Sequence, residues 1–193
     1  MGFYFDQTRC IGCHSCVVAC KDWHDVPAGP ASWRRVLPVE RGEFPHLFLA
    51  FLSTACYHCA RPACLSACPV GAISKRAQDG IVVVDRELCL GKDSCTFCLD
   101  ACPYEAPQFG AEEDARMQMC DLCLDRLAEN KSPICVAACT MRALDGGPLE
   151  ELEAKYGSDK EAAGFTCVAA LQPSIVVKPR VIPDGLQAPA GGE

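Results

Sequence analysis

Residues 89–104 read CLGKDSCTFCLDACPY. Counted back from Cys102, Cys98 and Cys95 fall at the intervals of the run C-x2-C-x2-C-x3-C-P, a spacing that places thiolates on iron. The next position back is Lys92, and a cysteine stands three residues earlier, at Cys89. The C-x3-C ending recurs in three other places. Cys10, Cys13, Cys16 and Cys20 are spaced x2, x2, x3, and Cys56, Cys59, Cys64 and Cys68 are spaced x2, x4, x3. Cys89, Cys95, Cys98 and Cys102 follow x5, x2, x3, and Cys120, Cys123, Cys135 and Cys139 follow x2, x11, x3. Of the 17 cysteines only Cys167 lies outside these four groups.

Three chemistries use cysteine this densely. Disulfides suit small secreted chains, and the opening MGFYFDQTRC shows neither a basic n-region nor an apolar h-region. Structural zinc takes two ligand pairs separated by a longer loop. The fourth group would pass as such a site, but the first crowds four thiols into residues 10–20. Cubane [4Fe–4S] clusters take four thiolates each at the spacing of the first group. Four groups predict four clusters.

The shared ending has a mechanical reading. Residues i and i+4 lie one turn apart on one helix face, and in two-cluster ferredoxins the fourth cysteine serves the other cluster. Pro69 and Pro103 follow Cys68 and Cys102, and the joint between those two groups reads as a β-hairpin turning at Asp79-Gly80 into Ile81–Val84. The second and third groups are therefore expected to exchange ligands, as are the first and fourth. The expected sets are Cys10, Cys13, Cys16 with Cys139; Cys120, Cys123, Cys135 with Cys20; Cys56, Cys59, Cys64 with Cys102; and Cys89, Cys95, Cys98 with Cys68. The fold expected is α+β. Two interleaved ferredoxin-like units, with short helices, hairpins and long loops, surround the clusters. Residues 54–104 form the inner unit, 1–53 and 105–147 the discontinuous outer one, and 148–193 a helix and an extended tail.

Composition narrows the rest. With 193 residues, 50% of them hydrophobic and only 7% aromatic, the apolar core should be modest. A net charge of −7 argues against nucleic acid as a partner. No apolar run approaches the ~18–20 residues of a membrane span, so the chain is expected to be soluble by itself. No nucleophile triad, phosphate loop or nucleotide fingerprint appears. An electron-transfer protein without catalysis of its own is the expectation.

The segments CTFCLDACPYEAPQFG, CDLCLDRL, PICVAAC and RALDGGPLEEL resemble the iron–sulfur subunit of dimethyl-sulfoxide-reductase and polysulfide-reductase molybdoenzymes, over roughly residues 3–182. Within that family, FDQTRCIGCHSCVVACKDW and the offset at 89–95 are similar to the small subunit of phenylacetyl-CoA:acceptor oxidoreductase. The resemblance implies a four-cluster relay. It would dock on a catalytic subunit carrying a molybdenum or tungsten bis-pterin cofactor, and serve a quinone-reactive membrane subunit. It also implies membrane association through those partners, on the cytoplasmic side, or on the periplasmic side by co-export with a signal-bearing partner. A polyferredoxin-type relay of a hydrogenase or formate-lyase complex would use the same motifs. The departure from the family pattern is Lys92, which as an ammonium has no lone pair to offer iron. Either Cys89 ligates through a longer loop, which Gly91 and Asp93 would help turn, or that cluster is [3Fe–4S].

Other residues carry weaker signals. His58 and His14 sit inside ligand groups, where an N–H near sulfur would raise a potential and loop packing is the plainer reading. Lys75 and Arg76 could lie between clusters or face the catalytic subunit, against a solvated hairpin edge as the default. Trp23 and Trp33 read as half-buried packing and Cys167 as a small buried hydrophobe. GPLEELEAKYG reads as a helix started by Pro148 and stopped by Gly157. The stretch CVAALQPSIVVKPRVIP reads as a proline-broken extended segment over the core or a partner, with 183–193 flexible.

Overall fold

A computed structural model describes residues 1–186. The expectation of flexibility for the last residues falls mostly on 187–193, outside the described residues. The elements in order are β1 (Gly2–Asp6), α1 (Ser15–Trp23), β2 (Arg35–Glu43), β3 (His46–Thr54), α2 (Ala63–Ala67), β4 (Ile73–Lys75) and β5 (Val82–Val84). They continue with α3 (Phe97–Asp100), α4 (Leu124–Ala128), α5 (Ile134–Ala137), β6 (Leu144–Gly147), α6 (Leu149–Tyr156) and β7 (Ile175–Lys178). Among the described residues this is a mixed α/β arrangement of short helices and three small sheets.

The largest sheet has the order β6-β1-β7. All five residues of β1 are buried, which suits a strand flanked on both edges. It pairs antiparallel with β6, Phe3 opposite Gly146, and parallel with β7, Phe3 opposite Ile175. The tail segment thus covers the core as expected, by adding a strand. Strands β2 and β3 form a nine-residue ladder from Arg35↔Thr54 to Glu43↔His46, an element with no clear signal in the sequence. The 73–84 hairpin closes at Gly80, whose φ of +72° a side chain would resist.

The helices that carry C-x3-C endings are single turns, apart from α1. That is enough to bring residues i and i+4 onto one face. Helix α1 packs on α5, and α2 on α3. Helix α6 runs from the Pro148 flank to Gly157 at φ +92°, with Glu150 and Glu151 in its first turn complementing the dipole. It packs on β1 and β7. No helix among the described residues is long and apolar enough to cross a membrane.

The described residues form one large core and a small second one of Tyr4, Leu152 and Val176 under α6. Phe3, Phe5, Tyr57, Ile81, Met117, Leu122 and Ile175 pack in the same cluster as Cys16, Cys56, Cys59, Cys64, Cys98, Cys120 and Cys135. Thiols therefore occupy the places where a small domain would otherwise put aliphatic carbon. Gln7, fully buried, knits distant segments: Nε2 donates to Ala163 O (2.8 Å) and Phe51 O (3.3 Å), and Oε1 accepts from the amides of Ala163 and Arg180, both at 3.1 Å.

Candidate metal centre

Each cysteine group begins with the same backbone turn. Two residues after the first cysteine the backbone adopts positive φ: Gly12 at +70°, His58 at +45°, Gly91 at +89° and Leu122 at +61°. Such a turn folds the local amides back onto sulfur. The amides of His58 and Leu122 donate to Cys56 and Cys120 Sγ, both at 3.4 Å. At the other end of three groups, the residue four after the last cysteine donates its amide to sulfur: Ala72 to Cys68, Ala106 to Cys102 and Ala143 to Cys139, at 3.2–3.5 Å. Gly91 stands to Cys89 as Gly12 stands to Cys10. In backbone terms the third group starts at Cys89, and Lys92, Asp93 and Ser94 are an exposed insertion behind the turn. The Met117 amide also reaches Cys89 Sγ at 3.4 Å.

The groups exchange their last members in space. Cys10, Cys13, Cys16 and Cys139 line one small cavity (site 1). Cys56, Cys59, Cys64 and Cys102 line another (site 3), and Cys89, Cys95, Cys98 and Cys68 a third (site 4). Cys20, Cys120, Cys123 and Cys135 are all buried (site 2), brought together by α1 on α5. Within site 2, Cys20, Cys120 and Cys123 each feel Cys135. Between sites, Cys16 feels Cys135, Cys120 feels Cys56, and Cys98 feels Cys64. Helix α1 carries both Cys16 of site 1 and Cys20 of site 2, and α2 with Cys64 of site 3 packs on α3 with Cys98 of site 4. Cys13 of site 1 is exposed, as are Val70, Leu88, Leu90 and Phe97 around site 4.

Electrostatics follow burial. Burial pushes the thiols of Cys20, Cys64, Cys98 and Cys123 up to about 12 and Cys59 to about 11. Only Cys13, exposed and hydrogen-bonded to Ser15, is lowered. Buried thiols deprotonate when they ligate metal, so loading these sites expels protons. Four converging soft sulfurs, each set ringed by backbone N–H donors and apolar carbon, fit a [4Fe–4S] group, which selects such ligands.

Among the neighbouring residues, Lys75 and Cys167 depart from the plainer reading. His58 is fully buried, but its Nδ1, 3.8 Å from Cys56 Sγ, accepts the Val82 amide at 3.1 Å and so holds no proton for sulfur. Packing wins there. His14 serves as the left-handed flank of α1. Lys75 is not on a solvated edge: its ammonium donates to the carbonyls of His58, Cys59 and Gly80, which draws it over the second group's loop. Arg76 pairs with Asp79. Cys167 is half-buried rather than buried, because its loop lies at the surface beside Glu161. Trp23 is part exposed, donating to Asp125 beneath Arg126, and Trp33 donates to Gln118.

Two residues carry roles that the sequence does not announce. His24 Nε2 lies 3.3 Å from Cys123 Sγ and 3.9 Å from Asp121. Its place four residues after Cys20, one turn along the helix, is the available signal. Arg34 is 2% exposed, and nothing in its local sequence marks it for burial.

Two family models described as 4Fe-4S dicluster domain match the protein, one over residues 47–148 and one over 9–73. The sequence is 42% identical over 187 residues to the B subunit of anaerobic dimethyl sulfoxide reductase from Haemophilus influenzae, covering 92% of this chain and 88% of that protein. It is 43% identical to the corresponding B subunit of Escherichia coli over the same shares. It is 37% identical over 171 residues to the formate dehydrogenase iron–sulfur subunit of Wolinella succinogenes, covering 78% of this chain and 82% of that protein.

Proposed function

The protein belongs to the 4Fe-4S dicluster family of iron–sulfur subunits that includes the B subunit of dimethyl sulfoxide reductase, and on that premise we propose that it is the electron-transfer subunit of a molybdoenzyme-type reductase complex. It carries four [4Fe–4S] clusters. Each exchanges one electron with little rearrangement, so the work of the protein is to hold, insulate and tune. The ligand sets of this reading are those of sites 1 to 4. The observation that carries it is the exchange itself: a cavity takes three sulfurs from one group and the last sulfur of another. Cys89 belongs to site 4 in this reading, supported by the turn at Gly91 and the amide of Met117.

Two interleaved ferredoxin-like units follow from the same exchange, the outer built from residues 1–53 and 105–147 and the inner from 54–104. Sites 2 and 3 are the sheltered middle of the series, where Cys20, Cys120, Cys123, Cys135, Cys56, Cys59 and Cys64 are all buried. Sites 1 and 4 are the ends, where electrons enter and leave. One end faces a molybdopterin-type catalytic subunit. The other serves a quinone-reactive membrane subunit, through which the protein is membrane-associated. Exposed apolar side chains at both ends, Ile11 and Val18 at site 1 and Leu88, Leu90 and Phe97 at site 4, support burial there against partners.

Iron and acid-labile sulfide on the anaerobically purified protein test the reading. We expect about sixteen of each per chain, four for each cubane. About eight of each would refute it, and co-purification of a large molybdopterin subunit is expected alongside.

A further inference from the structure

The guanidinium of Arg34 is enclosed beside sites 1 and 2 without a carboxylate. The residue is 2% exposed and makes no ion pair with an acidic side chain among the described residues. Nη1 donates to Ser53 Oγ at 3.0 Å, and Ser53 Oγ in turn lies 4.0 Å from Cys16 Sγ. The flat face rests over the Phe3 ring, 4.5 Å from its centre. Nη2 is buried and has no hydrogen-bond partner in the protein. A permanently charged group in such a place is strongly disfavoured unless an anion compensates it and its N–H groups are satisfied.

The groups that supply compensation are sulfurs. Burial works against the Arg34 cation, while Cys135, Cys120, Cys16 and Cys20 work for it, and the balance favours the charged form. Three of those four cysteines belong to site 2 and one to site 1. Beside them stand the Phe3 ring and the neutral Ser53 hydroxyl, and the buried Tyr57 and His58 also lie within reach of the cation.

We propose that Arg34 is a built-in counter-ion shared by sites 1 and 2, with Nη2 donating to the sulfur of the bound clusters, and that it raises the reduction potentials of both, site 2 the more. The inference rests on the ligand sets proposed above. Reduction adds one electron, and so one negative charge, to a cluster already held by four thiolates, and no bond is made or broken. A fixed cation in a low-dielectric pocket favours the more negative state. Hydrogen bonds to sulfur and local charge are the levers that set such potentials. Sites 3 and 4 lie further along the series and should respond little.

The test is a potentiometric titration of the purified complex, reduced with dithionite through mediators and followed by electron paramagnetic resonance. Wild type is compared with Arg34→Met, Arg34→Gln and Arg34→Lys. With the charge removed, the reduction equilibria of sites 1 and 2 should both fall, that of site 2 at least tenfold, about 59 mV for one electron. Sites 3 and 4 should stay within threefold, and Arg34→Lys should recover most of the shift. Potentials of sites 1 and 2 unchanged in Arg34→Met, or all four displaced alike, would overturn the proposal. If both neutral variants fail to load iron at sites 1 and 2, Arg34→Lys decides by its iron content. Full loading shows that the sites require the charge, and loss equal to the neutral variants shows that they require only the shape. A wild type that itself lacked four titrating clusters would instead refute the ligand sets.

Discussion

Replacing Cys89 by serine probes the part of the molecule where the ligand spacing is most unusual. The change removes one of the four sulfurs lining site 4 and leaves the local fold nearly intact. Cys89 is half-buried, and a serine oxygen still accepts the Met117 amide that now reaches Sγ at 3.4 Å. The turn at Gly91 and the Lys92 amide, bonded to Ala115 O at 2.9 Å, are untouched. The effect should therefore fall on iron. A hydroxyl is a harder and shorter ligand than a thiolate. Iron should fall from about sixteen per chain to about fifteen if one corner is lost, or about twelve if the cluster goes. Lys92→Ala, whose side chain is exposed, should leave iron unchanged and only remove a nearby positive charge. The assay is iron by plasma emission beside low-temperature paramagnetic resonance of the oxidised and reduced protein. The reasoning is refuted if oxidised wild type already shows a [3Fe–4S] signal, Cys89→Ser changes nothing, and Lys92→Cys restores a fourth cubane.

Four further outcomes are expected. Gly91→Ala should also deplete site 4 without touching a sulfur. Its Cβ would stand 2.9 Å from Asp114 O at a φ of +89°, a strain of about 1–3 kcal/mol that iron content and a lowered midpoint in chemical unfolding would record. Gln7→Ala should destabilise the loaded protein by about 1–3 kcal/mol, because the buried Ala163 amide loses its acceptor. A denaturation midpoint equal to wild type would contradict this. Chelating the iron should abolish the cooperative melt seen by circular dichroism, since the core cluster is built partly of thiols, whereas Cys167→Ser should retain the full iron content.

Local signals are legible in the sequence, and distant ones are not. The ligand spacings, the 73–84 hairpin with its Asp79-Gly80 turn, and the α6 helix between Pro148 and Gly157 are each set by residues a few positions apart. Strand β1 carries five buried residues because strands starting at 144 and 175 flank it, and nothing within GFYFD indicates partners so far away. The β2–β3 ladder is hidden for another reason. Pro38 interrupts RVLPVERGE, and the turn at Phe44-Pro45 has none of the Asn-Gly chemistry that marks a hairpin. A two-stranded sheet leaves every strand with a free edge, where proline is tolerated. Arg34 and His24 escape notice because their meaning lies in thiols contributed by other elements. In the sequence Arg34 is one of a pair with Arg35, and nothing local separates the buried member from the one that pairs with Glu105. Lys75 departs from its expected solvated edge for the same reason, since the carbonyls that hold it include those of residues 58 and 59.

The β6-β1-β7 sheet also sets a timetable for biosynthesis. Its middle strand leaves the ribosome first, while β6 and β7 begin only at residues 144 and 175. At ~5–20 residues per second, β1 waits on the order of ten seconds for its first neighbour. The Cys10–Cys16 run waits as long for Cys139. During that interval Phe3 and Phe5, both 1% exposed in the finished protein, have no strand to cover them. A nascent polypeptide in this state offers three of the four thiols of site 1 and an unprotected apolar edge. Iron delivered then would find an incomplete seat. Site 1 can therefore be filled only after Cys139 and the β6 strand beside it have been made.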